Sequence, residues 1–445
     1  MEPTTFYLQS LGCAKNRVDS ELILASLTTA GYQLVADHLE AEVIVVNTCA
    51  FIESAVQESI DTILELAQAK NNGNCRMLVV TGCLPQRYGK KLARELPEVN
   101  LFLGTSTFHR LAPLLSRVDP EDPQKLLLEP PQFLMDSACR RQLSGPAYSS
   151  YLKIAEGCSN RCSFCTIPSI RGPYRSRSLD DLLQEAHWLA AQGVQEINLI
   201  AQDTTAYGKD LSSNICLADL LEALAQANLF PWIRLLYCHP QRITDRLLRV
   251  MCSHESICAY LDIPVQHASS RILTAMARPG TGEQYLALIN RIRQSIPEVV
   301  IRTTVIVGFP SETEDDFRQL CSFVEKARFQ YLGIFAFSPE KGTAAARMSA
   351  RLETRTIDRR LQELAALQEQ ISKAYHQQLL GSVQQVLIEG VSPETDLLLQ
   401  GRLRGQAPDV DGRILINRGT ACLGKITPVR ITEAHAYDLV GEIVA

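Results

Sequence analysis

No apolar run in this chain approaches the ~18 residues that a membrane-spanning helix needs. Its first residues, MEPTTFYLQSLGC, carry neither a basic stretch nor an apolar core of the kind that directs export. The expectation is a soluble, cytoplasmic protein with no membrane partner. Low-complexity tracts and blocks of like charge are missing as well, which excludes a long disordered tail. The formal net charge of −5 has the wrong sign for a protein that grips nucleic acid over its whole surface, although one basic face remains compatible with it. Cysteine is what the chain has in quantity. Fourteen of them in a reducing compartment read as metal ligands or reactive thiols where they cluster, and as packing residues where they stand alone.

With 445 residues the chain exceeds one ordinary hydrophobic core, so two or three domains are expected. From Phe6 to Leu115 short β-rich runs (FYLQSL, VIVVN, MLVVTG, LFLG) alternate with helical stretches, one of them following Pro85. That alternation predicts an α/β unit, a doubly wound and mostly parallel sheet, over 1–118. Residues 119–150, rich in Pro, Asp and Gln, read as a linker. Over 151–377 six strand candidates (YLKIAEG, EINLIAQ, WIRLLY, YLDIPVQ, VIRTTVIVG, YLGIFAF) are separated by helices. Six βα units predict a partial barrel, because a closed one needs eight. A long helix from about Thr354, with Ile357, Leu361, Leu364, Gln368, Ile371 and Tyr375 at spacings of three and four, is expected to dock on that barrel. The last segment, 378–445, has short β-rich runs between Gly, Pro and Asp, the pattern of a small antiparallel barrel.

The strongest chemical signal is Cys158-Ser-Asn-Arg-Cys162-Ser-Phe-Cys165, just past the strand YLKIAEG. Three thiolates on one short loop can bind three corners of a 4Fe-4S cube and leave the fourth iron open. A zinc site is the competing reading, but zinc usually takes four ligands, and neither a second pair nor a nearby His is present. A second set, Cys13, Cys49 and Cys83, follows the strands FYLQSL, VIVVN and MLVVTG. In a parallel sheet the carboxyl ends share one edge, so these three can converge, and the helices that follow would favour their thiolates. Chance placement of three among fourteen is the bland alternative. Cys75, Cys139, Cys216, Cys252, Cys258, Cys321 and Cys422 are read as small apolar fillers, and Cys238 as a strand-end residue with a packing role.

The CxxxCxxC loop resembles the signature of the radical S-adenosylmethionine (SAM) superfamily, with Phe164 at its aromatic position. That resemblance implies SAM chelated at the open iron, Phe164 near the adenine, Gln202 near the methionine amino group, and Gly308 closing the fifth strand. Ser311 stands where such proteins often have Gly. Gly12-Cys13-Ala14-Lys15-Asn16, Asn47-Thr48-Cys49 and Gly82-Cys83 resemble the motifs of the methylthiotransferases, which usually have Pro at the position of Ala14 and end in a TRAM-type β-domain. GCSNRCSFCTIPSIRG, LLYCHP and LDIPVQHASS look most like the RimO branch, which modifies a ribosomal protein.

What the resemblance implies is specific. Two SAM molecules and two 4Fe-4S clusters would add a methylthio group to an aspartate β-carbon of small-subunit ribosomal protein twelve, with flavodoxin or ferredoxin supplying electrons. One SAM would methylate a sulfur at the N-terminal cluster, and the other would be cleaved at the Cys158/Cys162/Cys165 cluster. The tail carries six basic against eight acidic residues, which suits a basic protein better than RNA. The alternatives are a tRNA adenosine methylthiotransferase and a non-catalytic iron-sulfur or RNA-binding module. No catalytic acid, base or nucleophile is assigned from the sequence.

Overall fold

The computed structural model describes residues 3–118, 124–212 and 214–444. The first five residues of the stretch read as a linker, and the extreme termini of the first and last units, lie outside them. The N-terminal unit is a six-stranded parallel sheet of β1 (Thr5–Ser10), β2 (Gln33–Leu34), β3 (Val43–Thr48), β4 (Met77–Gly82), β5 (Leu101–Leu103) and β6 (Lys125–Leu127), in the order β2-β1-β3-β4-β5-β6. Helices α1 (Ala14–Thr29), α2 (Glu53–Ala67), α3 (Ala69–Asn72), α4 (Cys83–Glu95) and α5 (Leu111–Leu115) connect these strands. Every residue of β3 and β4 is buried, as continuous apolar strands covered on both faces must be.

Three local expectations are corrected. The segment read as a linker supplies β6, whose Lys125–Leu127 pairs with Leu101–Leu103 at the sheet edge; three residues on an edge strand are too few to show periodicity. Helix α4 starts at Cys83, two residues before Pro85, because proline needs no backbone donor in a first turn. YLKIAEG is not one strand. It divides into β7 (Ser149–Lys153), which joins the central sheet, and β8 (Ala155–Glu156), which pairs antiparallel with β9 (Arg175–Ser176).

The central unit is an open parallel sheet in the order β14-β13-β12-β11-β10-β7. Its remaining strands are β10 (Glu196–Ile200), β11 (Trp232–Leu235), β12 (Ile257–Asp262), β13 (Val300–Val307) and β14 (Tyr331–Ala336). After the short α6 (Ile167–Arg171), the helices are α7 (Leu179–Ala191), α8 (Leu217–Gln226), α9 (Asp245–Ser253), α10 (Ser270–Ala275), α11 (Gly282–Ser295), α12 (Glu314–Ala327) and α13 (Thr354–Gln377). Leu364, Gln368 and Ile371 of α13 are buried on the sheet, where Gln368 Nε2 donates to the Phe329 carbonyl at 2.9 Å. The tail closes as a five-stranded barrel of β15 (Val383–Ser392), β16 (Thr395–Leu403), β17 (Ile414–Arg418), β18 (Ile426–Ala434) and β19 (Leu439–Ile443).

A six-stranded open barrel leaves its inner face uncovered, and here the other two units cover it. One apolar cluster runs from Phe6, Val18 and Ile23 through Tyr151, Trp232 and Tyr260 to Leu387 and Ala407. Helix α1 is therefore buried on opposite sides. Its polar residues Asp19 and Glu21 are buried too, each paired with a cation from beyond the N-terminal sheet. Among the described residues no helix is long and apolar enough to cross a membrane.

Candidate active site at the junction of two cysteine loops

Strands β1, β3 and β4 are hydrogen-bonded neighbours in register, with Ser10 opposite Asn47 and Thr48 opposite Gly82. Cys13, Cys49 and Cys83, each just past its strand, consequently share one edge. Two glycines permit the close approach. A Cβ on Gly12 (φ +90°) would lie 2.6 Å from Cys49 Cβ, and one on Gly82 (φ +95°) would lie 2.4 Å from Asn47 Oδ1. Asn16 then ties the first two loops together, its Nδ2 donating to the Leu11 carbonyl at 2.8 Å and the Thr48 carbonyl at 3.0 Å. Thr48 Oγ1 donates to the Thr81 carbonyl at 2.6 Å, joining the third.

The thiols of this edge are within electrostatic reach of one another. Burial first, then Cys83 and Cys13, pushes the Cys49 thiol up to about 12. Burial also raises Cys83, against the Arg171 guanidinium beside it. At Cys49 and Cys83 desolvation thus opposes the favour that the following helices were expected to give the thiolates. Cys13 is the exposed member of the set.

The loop of Cys158, Cys162 and Cys165 is pinched at its neck by the β8–β9 pair. Within it the Cys158 amide donates to the Gly172 carbonyl at 3.0 Å and the Cys165 amide to the Cys162 carbonyl at 3.2 Å. Ser163 pins the tip to α10, its amide donating to the Met276 carbonyl at 2.9 Å and its Oγ to the Ala275 carbonyl at 2.7 Å. Two donors point at sulfur: the Ile167 amide to Cys165 Sγ at 3.4 Å, and Arg278 Nη1 to Cys162 Sγ at 3.6 Å. Burial pushes the Cys165 thiol up to about 12, the Ile167 amide opposing and Cys162 and Cys158 reinforcing. Among the described residues no three His, Cys, Asp or Glu side chains are placed to hold a single metal ion. A cube accepts its ligands at separate corners, and donors aimed at sulfur suit such an anionic group. The residues present fit an iron-sulfur cluster.

Phe164, Gln202 and Gly308 gather near the same carboxyl edge of the central sheet. Phe164 packs half-buried on the cluster of Ile272, Met276 and Phe309. Gln202 Nε2 donates to Glu156 Oε1 at 2.7 Å, while its Oε1 is buried with no partner. The Gly308 amide donates to Glu312 Oε2 at 2.9 Å. Ser311 sits at φ +67°, a left-handed backbone that explains why glycine is at home there. Cys238 is a packing residue, buried 3.8 Å from Thr204 Oγ1. Cys75 and Cys258 are buried as expected, although Cys258 lies on β12; Cys252 and Cys422 are exposed and fill nothing, which corrects their reading as packing residues.

Sequence reasoning missed the residues that join the two loops. Arg171, at the end of α6, donates to Cys83 Sγ at 3.4 Å, Asn16 Oδ1 at 2.8 Å and Asp19 Oδ2 at 2.6 Å, and reaches Glu156 Oε2 at 3.4 Å. Lys153 Nζ closes the ring, 2.5 Å from Asp19 Oδ1 and 2.9 Å from Glu156 Oε2. All four charges are buried and balanced. Burial alone would raise Glu156, but Lys153 and Arg171 outweigh it and hold the carboxyl at about 2. The only sequence signal was a charge inside an apolar run, Lys153 in YLKIAEG and Asp19 in NRVDSELIL.

An open six-stranded βα sheet with a three-cysteine loop after its first strand is the build of a radical SAM enzyme, and residues 152–324 match the radical SAM superfamily. Residues 5–104 match the uncharacterized protein family UPF0004, and residues 380–444 the TRAM domain. The chain is 48% identical to the ribosomal protein uS12 methylthiotransferase RimO of Geobacter sulfurreducens, over 98% of each chain. It is also 48% identical to the protein of that name from Myxococcus xanthus, over 99% of this chain and 92% of that one. It belongs to the RimO family of radical SAM methylthiotransferases. As such it is a transferase that works with a 4Fe-4S cluster and SAM. Among solved structures, the fold resembles the radical SAM methyltransferase TsrM from Kitasatospora setae, with a TM-score of 0.58 at 15% identity over 86% of this chain and 81% of that one. OxsB, a cobalamin-dependent SAM radical enzyme, gives a TM-score of 0.51 at 12% identity over 83% of this chain and 56% of that one.

Proposed function

We propose that this enzyme adds a methylthio group to an aspartate β-carbon of ribosomal protein uS12. The observation that carries the reading is the likeness over nearly the whole chain to proteins of that named activity. In it Cys158, Cys162 and Cys165 hold one 4Fe-4S cluster, Cys13, Cys49 and Cys83 hold a second, and Phe164, Gln202 and Gly308 line the SAM site. Residues 1–118 serve the second cluster, 151–377 the radical chemistry, and 378–445 the substrate. When bound, the first cluster supplies the electron that splits SAM, drawn from a flavodoxin- or ferredoxin-like donor in the cytoplasm.

The chain's own residues prepare that reaction. Arg278 and the Ile167 amide offer positive charge to the sulfurs of one loop, as Arg171 does to the other. The Lys153–Asp19–Arg171–Glu156 ring locks the N-terminal unit to the central one, so both loops are held in register before substrate arrives. Gln202 is turned by Glu156 so that its free Oε1 can accept from an ammonium group. Inward-facing arginines support a protein substrate over RNA: Arg402 is buried on Glu196 and Glu389, and Arg404 donates to the Ile257 carbonyl, which leaves the acidic tail fewer cations for phosphates. The deciding assay offers the reduced enzyme, with SAM, both a peptide from the aspartate loop of uS12 and hypomodified tRNA. A methylthio gain on the peptide is expected, and a gain on tRNA alone would overturn the assignment.

A further inference from the structure

Helix α2 follows the loop of Cys49, and the residue at its N-cap is Ile52, whose side chain offers no acceptor to the first turn. The acceptor comes from the central unit instead. Glu340, in the loop after β14, takes the Glu53 amide on Oε1 at 2.8 Å and Nη1 of Arg87, from α4, on Oε2 at 2.7 Å. Arg87 also donates to the Ala50 carbonyl at 2.8 Å and the Lys341 carbonyl at 3.3 Å, so one guanidinium ties the residue after Cys49 to the loop after β14. Both charged side chains are only 6% exposed. Stability is a poor reason to bury such a pair, because the loss of hydration offsets most of the attraction; a fixed geometry is what it provides.

That geometry reaches Cys49 itself. Ser59 of α2 accepts from the Cys49 amide at 3.2 Å and donates to the Cys49 carbonyl at 2.9 Å, so the backbone of Cys49 is fastened to the helix that Glu340 caps. The same loop holds the other cysteine set. Thr343 Oγ1 donates to the Glu340 carbonyl at 2.7 Å, and the Ala345 amide then donates at 2.9 Å to the carbonyl of Ser163, between Cys162 and Cys165. Phe337 and Ala345 share an apolar cluster with Phe164. Residues 337–345 therefore touch both cysteine loops. They do so at the far edge of the open sheet from the Arg171 ring, since β14 is one edge and β7, which carries Lys153 of that ring, is the other.

We propose that residues 337–345 are a tie between the two sites, in which Glu340, clamped by Arg87, is the positioning residue that sets the Cys49 loop against the Cys158 loop. The inference rests on the functional reading above and adds a second fastening to it: the Arg171 ring holds Cys83, and this tie holds Cys49. The test uses the full chain, anaerobically reconstituted and supplied with dithionite, SAM and the uS12 loop peptide, as wild type, Glu340→Gln, Arg87→Met and Arg87→Lys. In Glu340→Gln and Arg87→Met the iron content and the KM for the peptide should hold and deoxyadenosine release should persist. Methylthio peptide formed per deoxyadenosine should fall about tenfold, because a misplacement of about 1 Å in such a geometry can cost about a hundredfold. Arg87→Lys should recover part of the ratio, and the double variant should be no worse than the poorer single one, as members of one pair require. Hydrogen exchange gives a readout apart from turnover: amides 50–53 should exchange faster in Glu340→Gln and Arg87→Met, with those of β3 unchanged. A wild-type ratio in both single variants, or loss of iron in either, would overturn the inference and leave the functional reading standing. Failure of wild type to modify the peptide would overturn both.

Discussion

Ala14 occupies the first turn of α1, where the backbone N–H has no partner within the helix, and Cys13 before it is extended at φ −101° and ψ 170°. Both conditions are those that proline requires, of its own position and of the preceding residue. The proline usual at this place in methylthiotransferases therefore fits the present backbone. Ala14→Pro is expected to stabilise the protein by about 0.5–1 kcal/mol, mainly by restricting the unfolded chain. A higher urea midpoint with unchanged iron content would bear this out, whereas destabilisation would mean that the Cys13 loop needs freedom the structure does not reveal. Ser311 is the complementary case, a side chain kept at φ +67° by the Ala350 carbonyl, which accepts its amide at 2.6 Å, and by Arg271 on its Oγ at 3.2 Å.

Between elements, a buried carboxylate, Glu196, helps join the C-terminal barrel to the central sheet, beside Asp411 of the barrel, which pairs with Arg302 and accepts from Tyr260. Glu196, at the start of β10, pairs with Arg234 of β11 at 2.9 Å and with Arg402 of β16 at 2.6 Å. Burial alone would raise its pKa, but Arg402 and Arg234 outweigh that and hold it at about 2, against an ordinary 4.5. A carboxyl depressed on folding contributes its full stability above about 4.5 and loses it as the pH falls toward about 2. Glu196→Gln leaves two buried guanidinium groups short of an anion and should cost about 3 kcal/mol at pH 7. The gap between variant and wild type should then narrow between pH 4.5 and pH 2. Urea midpoints across that range test both statements, and a gap independent of pH would show that Glu196 does not carry the barrel's acid sensitivity.

At the scale of the whole molecule, the two cysteine loops belong to different units that only the tertiary structure brings together. Anaerobically reconstituted protein is expected to carry two 4Fe-4S clusters, and replacing Cys158, Cys162 and Cys165 by Ala should halve the iron. Zinc at stoichiometric occupancy would contradict this. A second expectation separates the two sites. Cys83→Ala should abolish methylthio transfer while deoxyadenosine release from SAM remains measurable, because Cys83 stands on the N-terminal sheet, across Arg171 from the other loop. Loss of that release in a folded variant still holding the Cys158 cluster would show that the sites do not divide the work.

Local pattern was enough for much of this architecture. Fully buried parallel strands announce themselves as apolar runs such as VIVVN, six βα repeats can be counted, and CxxxCxxC is compact enough to be seen within one loop. Cys13, Cys49 and Cys83 could be paired in advance because parallel strands place all their carboxyl ends on one edge. What could not be read was whatever depends on partners far apart in the chain. Arg171 finds Cys83 and Asp19, Glu196 finds Arg402, and Lys15 finds Tyr237, pairings that no periodicity encodes because periodicity reports only which face a residue takes. Thiol acidity was decided at the same level. A helix N-terminus is visible in sequence and favours the thiolate, but the burial that opposes it at Cys49 and Cys83 comes from side chains packed around them in the folded chain.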